Sequence, residues 1–263
     1  MCAAEKQATK LSLVIVAFNE ERTLPMVLAA AHDVADEIIL VDSGSVDRTV
    51  EIAESFGAKV VHQDWLGYAA QKNLAVSLAS HEWVLSLDAD EVLTEGLQEE
   101  IKQILGSQHL DRCAGYLIPR LLYIGDRAVA HGGFYPDAQL RLFARSKGRF
   151  NERAVHERVF VDGPVGSLQQ SMNHYSYSDT GQFAEAMNKY AQLSAQHYLK
   201  AGYTWWQVSL FNEIVHPLWT FIYRYVIRAG FADGLLGLKV NLIYSDYVHK
   251  KIFLLRSCVH LHK

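Results

Sequence analysis

The hydrophobic positions fall into short blocks separated by longer amphipathic stretches. Residues 11–18 (LSLVIVAF) form a continuous apolar run rich in Val and Ile, the pattern of a strand buried on both faces. Residues 22–32 follow with Leu24, Val27, Leu28 and Ala31 on one helical face. Residues 37–41 predict a second strand. Residues 46–56 predict a helix capped by Ser45 and ended by Gly57. A third strand is expected over 58–62 and a helix over 68–79. Residues 83–87 predict a fourth strand that runs into Asp88-Ala89-Asp90, and 94–105 a helix with an acidic face, ended by Gly106. Strands alternating with helices of this length imply βαβ crossovers and helices on both faces of a mainly parallel sheet.

After Gly106 the pattern changes. Residues 115–124, 139–145 and 158–161 read as strands, broken by Gly132-Gly133, Pro136, Gly148 and Gly163-Pro164. From Thr180 onward the period is helical to the end. The expected organisation is a sheet domain over 1–180 and a helical region over 181–263, with no internal repeat and no flexible linker between them.

Composition narrows the function classes. Half of the 263 residues are hydrophobic and 21% are charged, which excludes a disordered or low-complexity chain. A net charge of −4 argues against a nucleic-acid partner. Cys2, Cys113 and Cys258 lie far apart, so neither a disulfide framework nor a structural zinc site is expected, and a reducing cytosol fits. The start, MCAAEKQATK, lacks the apolar stretch of a secretory signal.

The charge is unevenly spread. Residues 196–263 carry 8 basic and 3 acidic side chains and 13 of the 29 aromatic residues, among them Trp205, Trp206 and Trp219. Their longest stretch without Asp, Glu, Lys or Arg is 12 residues, from Ala201 to Asn212. A spanning helix needs roughly 20 apolar residues. The tail is therefore expected to lie on a membrane surface rather than cross it; packing on the main domain or on a second subunit is the alternative.

The candidate chemistry is acidic. Three predicted strand ends are polar: Asn19-Glu20-Glu21, Asp42-Ser43-Gly44-Ser45 and Asp88-Ala89-Asp90. In open α/β sheets ligands bind beyond such ends. Neither G-x-G-x-x-G nor G-x-x-x-x-G-K-[ST] occurs, so simple dinucleotide and P-loop readings lose support. In extended backbone Asp88 and Asp90 would point the same way and repel unless a cation lies between them or one is protonated. Mg²⁺ or Mn²⁺ is the expected cofactor, since hard ions take carboxylate and diphosphate oxygens. The alternative is that either aspartate merely caps the next helix.

VIVAFNEE, EIILVDSGSVDRTVEIA, the Gln71-Lys72-Asn73 helix start and WVLSLDADE together resemble family 2 glycosyltransferases of the GT-A fold. HGGFYPDAQLRLFARSKGRFNERAVHERV resembles a narrower branch, the lipopolysaccharide core β-1,4-glucosyltransferases. The resemblance implies a Rossmann-like, mixed, mainly parallel sheet flanked by helices, with a C-terminal helical appendage. It implies an inverting, metal-dependent hexosyltransferase with a UDP-sugar donor, UDP-glucose being expected. The acceptor would be a lipid-linked saccharide, an inner-core heptose, at the inner face of the cytoplasmic membrane. Transfer to a polyprenyl phosphate or a protein side chain, or a nucleotide-sugar-binding protein without turnover, are the alternatives.

By the same resemblance Ala17, Phe18, Asn19 and Glu20 would line the nucleotide site and Asp42 would sit near the uracil. Gln71 and Lys72 would lie beside the nucleotide or its diphosphate, although Lys72 could equally be a solvated helix residue. Asp88 and Ala89 would contact the ribose or the metal shell, and Asp90 would bind the metal. Asp137 is favoured over Glu157 as general base. His156 would be a further metal ligand or an acceptor contact, unless it pairs structurally with Glu157 near Arg153 and Arg158. Arg141 and Arg145 would hold diphosphate or an anionic acceptor, or pair with local acids. Trp65 would cover the donor or cap the core. His131 with Gly132-Gly133 would form a mobile loop over the sugar or an ordinary tight turn.

Overall fold

The structure, a computed structural model, describes residues 9–151, 158–200 and 209–261. β1 (Leu11–Ala17), α1 (Leu24–Ala31), β2 (Glu37–Asp42), α2 (Thr49–Ser55), β3 (Lys59–His62), α3 (Tyr68–Ser77) and β4 (Trp83–Asp88) alternate as the pattern requires. β5 (Glu91–Leu93), α4 (Glu95–Gly106), β6 (Gly115–Ile118), β7 (Arg120–Ile124) and β8 (Arg127–Val129) follow. Next come β9 (Gln139–Ala144), β10 (Gly148–Phe150), β11 (Val159–Val161), β12 (Val165–Ser167) and β13 (Met172–Tyr177). The chain then turns helical through α5 (Thr180–Lys200), α6 (Leu210–Phe221) and α7 (Gly234–Leu261).

Two compact units result, one of Met1–Arg120 with Asp137–Tyr175 and one of Leu121–Pro136 with Ser176–Lys263. The first holds a seven-stranded sheet in the order β12-β6-β9-β4-β1-β2-β3. β4, β1, β2 and β3 are parallel, and β9 runs antiparallel to both β4 and β6. This is the mixed, mainly parallel, helix-flanked sheet expected of the GT-A fold.

Each face of the sheet carries its own core, because successive side chains of a strand point to opposite faces. Leu13 and Ile15 of β1 pack with Leu40, Leu85 and Leu87 against Leu24 and Leu28 of α1 and Leu97 and Ile101 of α4. Val14, between them in sequence, packs with Ile39, Val41, Val84 and Phe143 against Ala75 and Val76 of α3. Burial on both faces explains why these strands read as unbroken apolar runs.

Two local expectations are corrected. Ser45 does not cap α2, which starts only at Thr49; its hydroxyl accepts the Asn19 N–H instead. The apolar run 115–124 is not one strand but two. Pro119 separates them: β6 joins the large sheet, whereas β7 pairs with β8 in the second unit. Proline has no N–H for a ladder, so it marks the break.

In the second unit, Ile124 and Val129 of the β7–β8 hairpin pack with Phe183 of α5 and Leu236 and Val240 of α7. No helix among the described residues is long and apolar enough to cross a membrane.

Candidate active site

Parallel pairing aligns the strand ends. β1 pairs with β4 at Val16–Asp88 and with β2 at Ala17–Asp42, so three loops leave the sheet at one rim. The first two loops brace each other. Asn19 takes a left-handed conformation (φ 58°), which asparagine tolerates better than most side chains. Its N–H donates to Ser45 Oγ and its Oδ1 accepts the Val46 N–H, both at 2.9 Å. Asp42 is buried and accepts the N–H groups of Gly44 and Ser45, which shapes the second loop. Gln71 is fully buried. It donates to Ser43 Oγ (3.1 Å) and Gln63 O (2.9 Å) and accepts the Leu66 N–H.

A cavity of about 570 Å³ opens at this rim. Of the residues singled out in the sequence, Ala17, Phe18, Glu20, Lys72, Asp88, Ala89 and Asp90 line it, joined by Trp65. Asn19, Asp42 and Gln71 do not line it; they hold the loops that do. Trp65 is half exposed and stacks edge-to-face on Tyr68 with ring centroids 4.7 Å apart.

The two aspartates share the cavity in a way different from that expected. Asp88 ends β4, but Ala89 and Asp90 form the turn into β5, so the pair is not on extended backbone. Asp88 is met by internal cations: Lys72 Nζ lies 2.7 Å from Oδ1, and an Arg141 Nη donates to Oδ2. Burial alone would raise the Asp88 carboxyl; Arg141 and Lys72 outweigh it and hold the group well below the usual carboxylate range. Asp90 turns instead toward His174, with Oδ2 3.2 Å from Nε2. Neither aspartate caps α4, whose cap is Thr94 accepting the Leu97 N–H.

Arg141 belongs to a line of alternating charge. It donates to the fully buried Glu91 at 2.6 Å, Glu91 accepts from Arg120 at 2.9 Å, and Arg120 donates to Asp137 (Nε to Oδ2, 3.0 Å). The order is Lys72, Asp88, Arg141, Glu91, Arg120, Asp137. Burial would lower both arginines, but the flanking carboxylates outweigh it and raise them. Arg141 thus pairs with local acids, and Arg145 donates to the Ala79 carbonyl. Asp137 does not line the large cavity. It lines a hollow of about 200 Å³ with Gln139, Arg141, Phe150 and Arg158, and its Oδ1 accepts from Gln139 Nε2 at 2.8 Å. His156 and Glu157 lie outside the described residues.

Glu20 behaves oppositely to Asp88. Burial raises its carboxyl above the usual range, the Thr23 hydroxyl offsets part of this, and nearby Asp90 adds to the rise. In the second unit His131 is tied down: Nδ1 lies 2.7 Å from Asp233 Oδ1, and Gly132 and Gly133 take positive φ in a turn.

Three residues at the site are not among those the sequence pattern assigns a role: His174, Glu91 and Arg120. Glu91 directly follows the Asp-Ala-Asp element, and its full burial is what separates it from the partly exposed Asp88 and Asp90. His174 reaches the cavity because β13 pairs antiparallel with β5, placing it opposite Glu91.

The Glycosyl transferase family 2 model matches residues 12–113. A Rickettsia bellii protein described as an uncharacterized glycosyltransferase is 32% identical over 252 residues, covering 92% of this chain and 84% of that one. The lipopolysaccharide core biosynthesis glycosyltransferase LpsC of Rhizobium meliloti is 30% identical over 254 residues, 92% of each chain. The chain belongs to glycosyltransferase family 2. Among solved structures, S. aureus TarS 1–349 is similar at TM-score 0.48 and 17% identity, over 97% of this chain and 91% of that one. In this transferase the matched segment 12–113 contains all three polar strand ends, from Asn19 to Asp90.

Proposed function

We propose that this transferase moves glucose from UDP-glucose, with inversion, onto a heptose of the lipopolysaccharide inner core at the cytoplasmic membrane face. The observation that carries this reading is the cavity at the sheet rim, where Asp88, Ala89, Asp90 and Lys72 converge with Glu20 and Phe18. The likeness to LpsC over nearly the full chain supports the acceptor class.

The residues fit a hard divalent ion. No group of three or more His, Cys, Asp or Glu side chains that could hold a metal occurs among the described residues. Asp90 and His174 nonetheless offer a carboxylate oxygen and an imidazole nitrogen in the cavity. Mg²⁺ and Mn²⁺ commonly take few protein ligands and complete their shell with water and substrate phosphate. Such an ion would be held by Asp90 and His174, and it would neutralise charge on a departing diphosphate.

The chain's own groups do the rest. Lys72 places an ammonium beside the diphosphate, and Asp88 and Phe150 fix that ammonium's position. Phe18 and Trp65 offer apolar surface to the donor and exclude water from it. Asp137 accepts the proton of the acceptor hydroxyl, oriented by Arg120 and Gln139. The hydroxyl oxygen bonds to the anomeric carbon from the face opposite the diphosphate. The bond to the diphosphate breaks, and UDP leaves with the electron pair. One displacement inverts the anomeric centre, so an α-linked donor gives a β product.

Membrane contact is supported by the exposed apolar side chains of α6 and the segment after it, Phe211, Ile214, Leu218, Trp219, Val226 and Ile227. An apolar face of this kind, with arginines close in sequence, suits the boundary of an anionic bilayer.

The test is incubation with UDP-glucose, Mn²⁺ and a truncated core lipid. The reading expects UDP and a β-glucosylated heptose. Transfer to a polyprenyl phosphate or a peptide instead would replace the acceptor, and nucleotide binding without transfer to any acceptor would make this a binding protein.

A further inference from the structure

In the second unit two arginines converge without a carboxylate between them. The Arg224 guanidinium carbon lies 4.1 Å from the ring centre of Phe134 and 4.0 Å from that of Tyr244, so the aromatic rings hold the group in place. Its Nε is buried and has no hydrogen-bond partner. A β-carbon built on Gly133 would lie 3.7 Å from Arg224 Nη1 and 3.7 Å from Arg228 Nε, so both guanidinium groups border one exposed glycine.

The surrounding backbone is fixed. Gly132 N–H donates to the Arg228 carbonyl at 2.9 Å, and His131 N–H and Nδ1 both engage Asp233. That aspartate is therefore committed to His131. Among the described residues no ion pair includes Arg224 or Arg228. Two neighbouring cations that lack a counter-charge repel each other, and burial further disfavours the charged form of Arg224. An arrangement that brings them together at one turn is suited to a ligand that brings the missing negative charge. Guanidinium forks match phosphate oxygens in geometry as well as sign.

We propose that Arg224 and Arg228, at the Gly133 turn, form a phosphoryl-binding site distinct in its residues from the nucleotide cavity. Phe134 and Tyr244 are its positioning residues. The ligand is a phosphate group, either free or ester-linked in solution, or carried in the headgroup of an anionic lipid. The inference does not depend on the sugar donor or acceptor proposed above.

The experiment uses the full chain, Arg228→Gln and Arg224→Lys. Arg228 is exposed, so its substitution leaves the core untouched, and Arg224→Lys keeps the charge over the rings but removes the fork. Circular dichroism and thermal unfolding check the fold of each, and Arg228→Gln alone decides if Arg224→Lys is damaged. One arm titrates inorganic phosphate by calorimetry. The other measures co-sedimentation with phosphatidylcholine vesicles with and without phosphatidylglycerol. Loss of a charge-assisted contact is expected to weaken binding roughly tenfold or more in the arm that holds the true source. An effect on phosphate titration assigns a soluble or sugar-borne phosphate, and an effect on phosphatidylglycerol vesicles assigns a lipid headgroup. If folded Arg228→Gln matches the native chain in both arms, or the native chain binds neither phosphate nor anionic vesicles preferentially, the site does not exist.

Discussion

His174 Nε2 stands 3.2 Å from Asp90 Oδ2, brought there by a strand that enters the chain long after the aspartate. The pairing gives Asp90 a partner different from those of Asp88, whose charge is already met by Lys72 and Arg141. The two aspartates therefore have separable roles, and substitutions at each are expected to fail differently.

Asp90→Ala is expected to lower turnover of the proposed donor, UDP-glucose, on the order of a hundredfold or more, the scale for losing one charge-stabilising group. Its circular dichroism and unfolding midpoint should match those of the native chain, because Asp90 sits in a turn at the cavity. His174→Ala should raise the Mn²⁺ concentration needed for half-maximal turnover. An unfolded Asp90→Ala chain would make the residue structural.

Arg141→Met should destabilise rather than merely slow the protein. It leaves Glu91, which is 0% exposed, and Asp88 without their shared cation. Breaking a buried pair by removing one partner costs about 3–5 kcal/mol. Urea unfolding followed by tryptophan fluorescence measures the loss; an unchanged midpoint would refute the shared role.

Glu20 and Asp88 predict opposite pH responses. Burial raises the Glu20 carboxyl in the folded state, so its ionisation costs stability once pH exceeds the ordinary value of about 4.3, and fully so above the raised folded value. Glu20→Gln should be more stable than the native chain at neutral pH, with the gain vanishing below pH about 4. The depressed Asp88 carboxyl contributes stability that is present above its ordinary value of about 3.9 and lost as pH falls below it. Unfolding curves of Asp88→Asn and the native chain should therefore converge toward acid. Divergence there would reverse the sign and reject the ion cluster as its source.

Asp137→Ala should reduce transfer to the acceptor while leaving UDP binding intact, since Asp137 lines the smaller hollow and not the large cavity. Transfer by Asp137→Ala at the native rate would move the base role to Glu157.

Removing the C-terminal helices is a poor test of membrane contact. A cut after Ala195 falls within α5 and strips Leu255 and Val240 of α7 from the second unit's core. The substitutions Phe211→Ser, Ile214→Ser and Leu218→Ser act only on exposed side chains. Together they should weaken binding to anionic vesicles by more than about tenfold with little change in thermal stability, since each side chain is worth about 1.5–3 kcal/mol when fully buried and about 1.4 kcal/mol is a tenfold change in affinity. Equal sedimentation would remove this face from membrane contact.

The alternation of β1 to β4 with their helices is legible in the chain's pattern alone, because strands buried on both faces must be apolar throughout and such runs are visible without any partner. The same pattern marks Phe18, Glu20, Asp88 and Asp90 as lying at or just past strand ends, which parallel pairing of β1 with both β2 and β4 brings to one rim beside Lys72 of α3. Which charge meets which is set by contacts between distant elements. His174 reaches Asp90 through antiparallel pairing of distant strands, and Glu91 and Arg120 link Arg141 to Asp137 across segments far apart in the chain. Such contacts also decide that β7 and β8 belong with the C-terminal helices, although they lie between strands of the large sheet. Periodicity is a local property of the chain, readable over one element. Counter-ions and unit membership depend on contacts between elements, which local pattern does not encode.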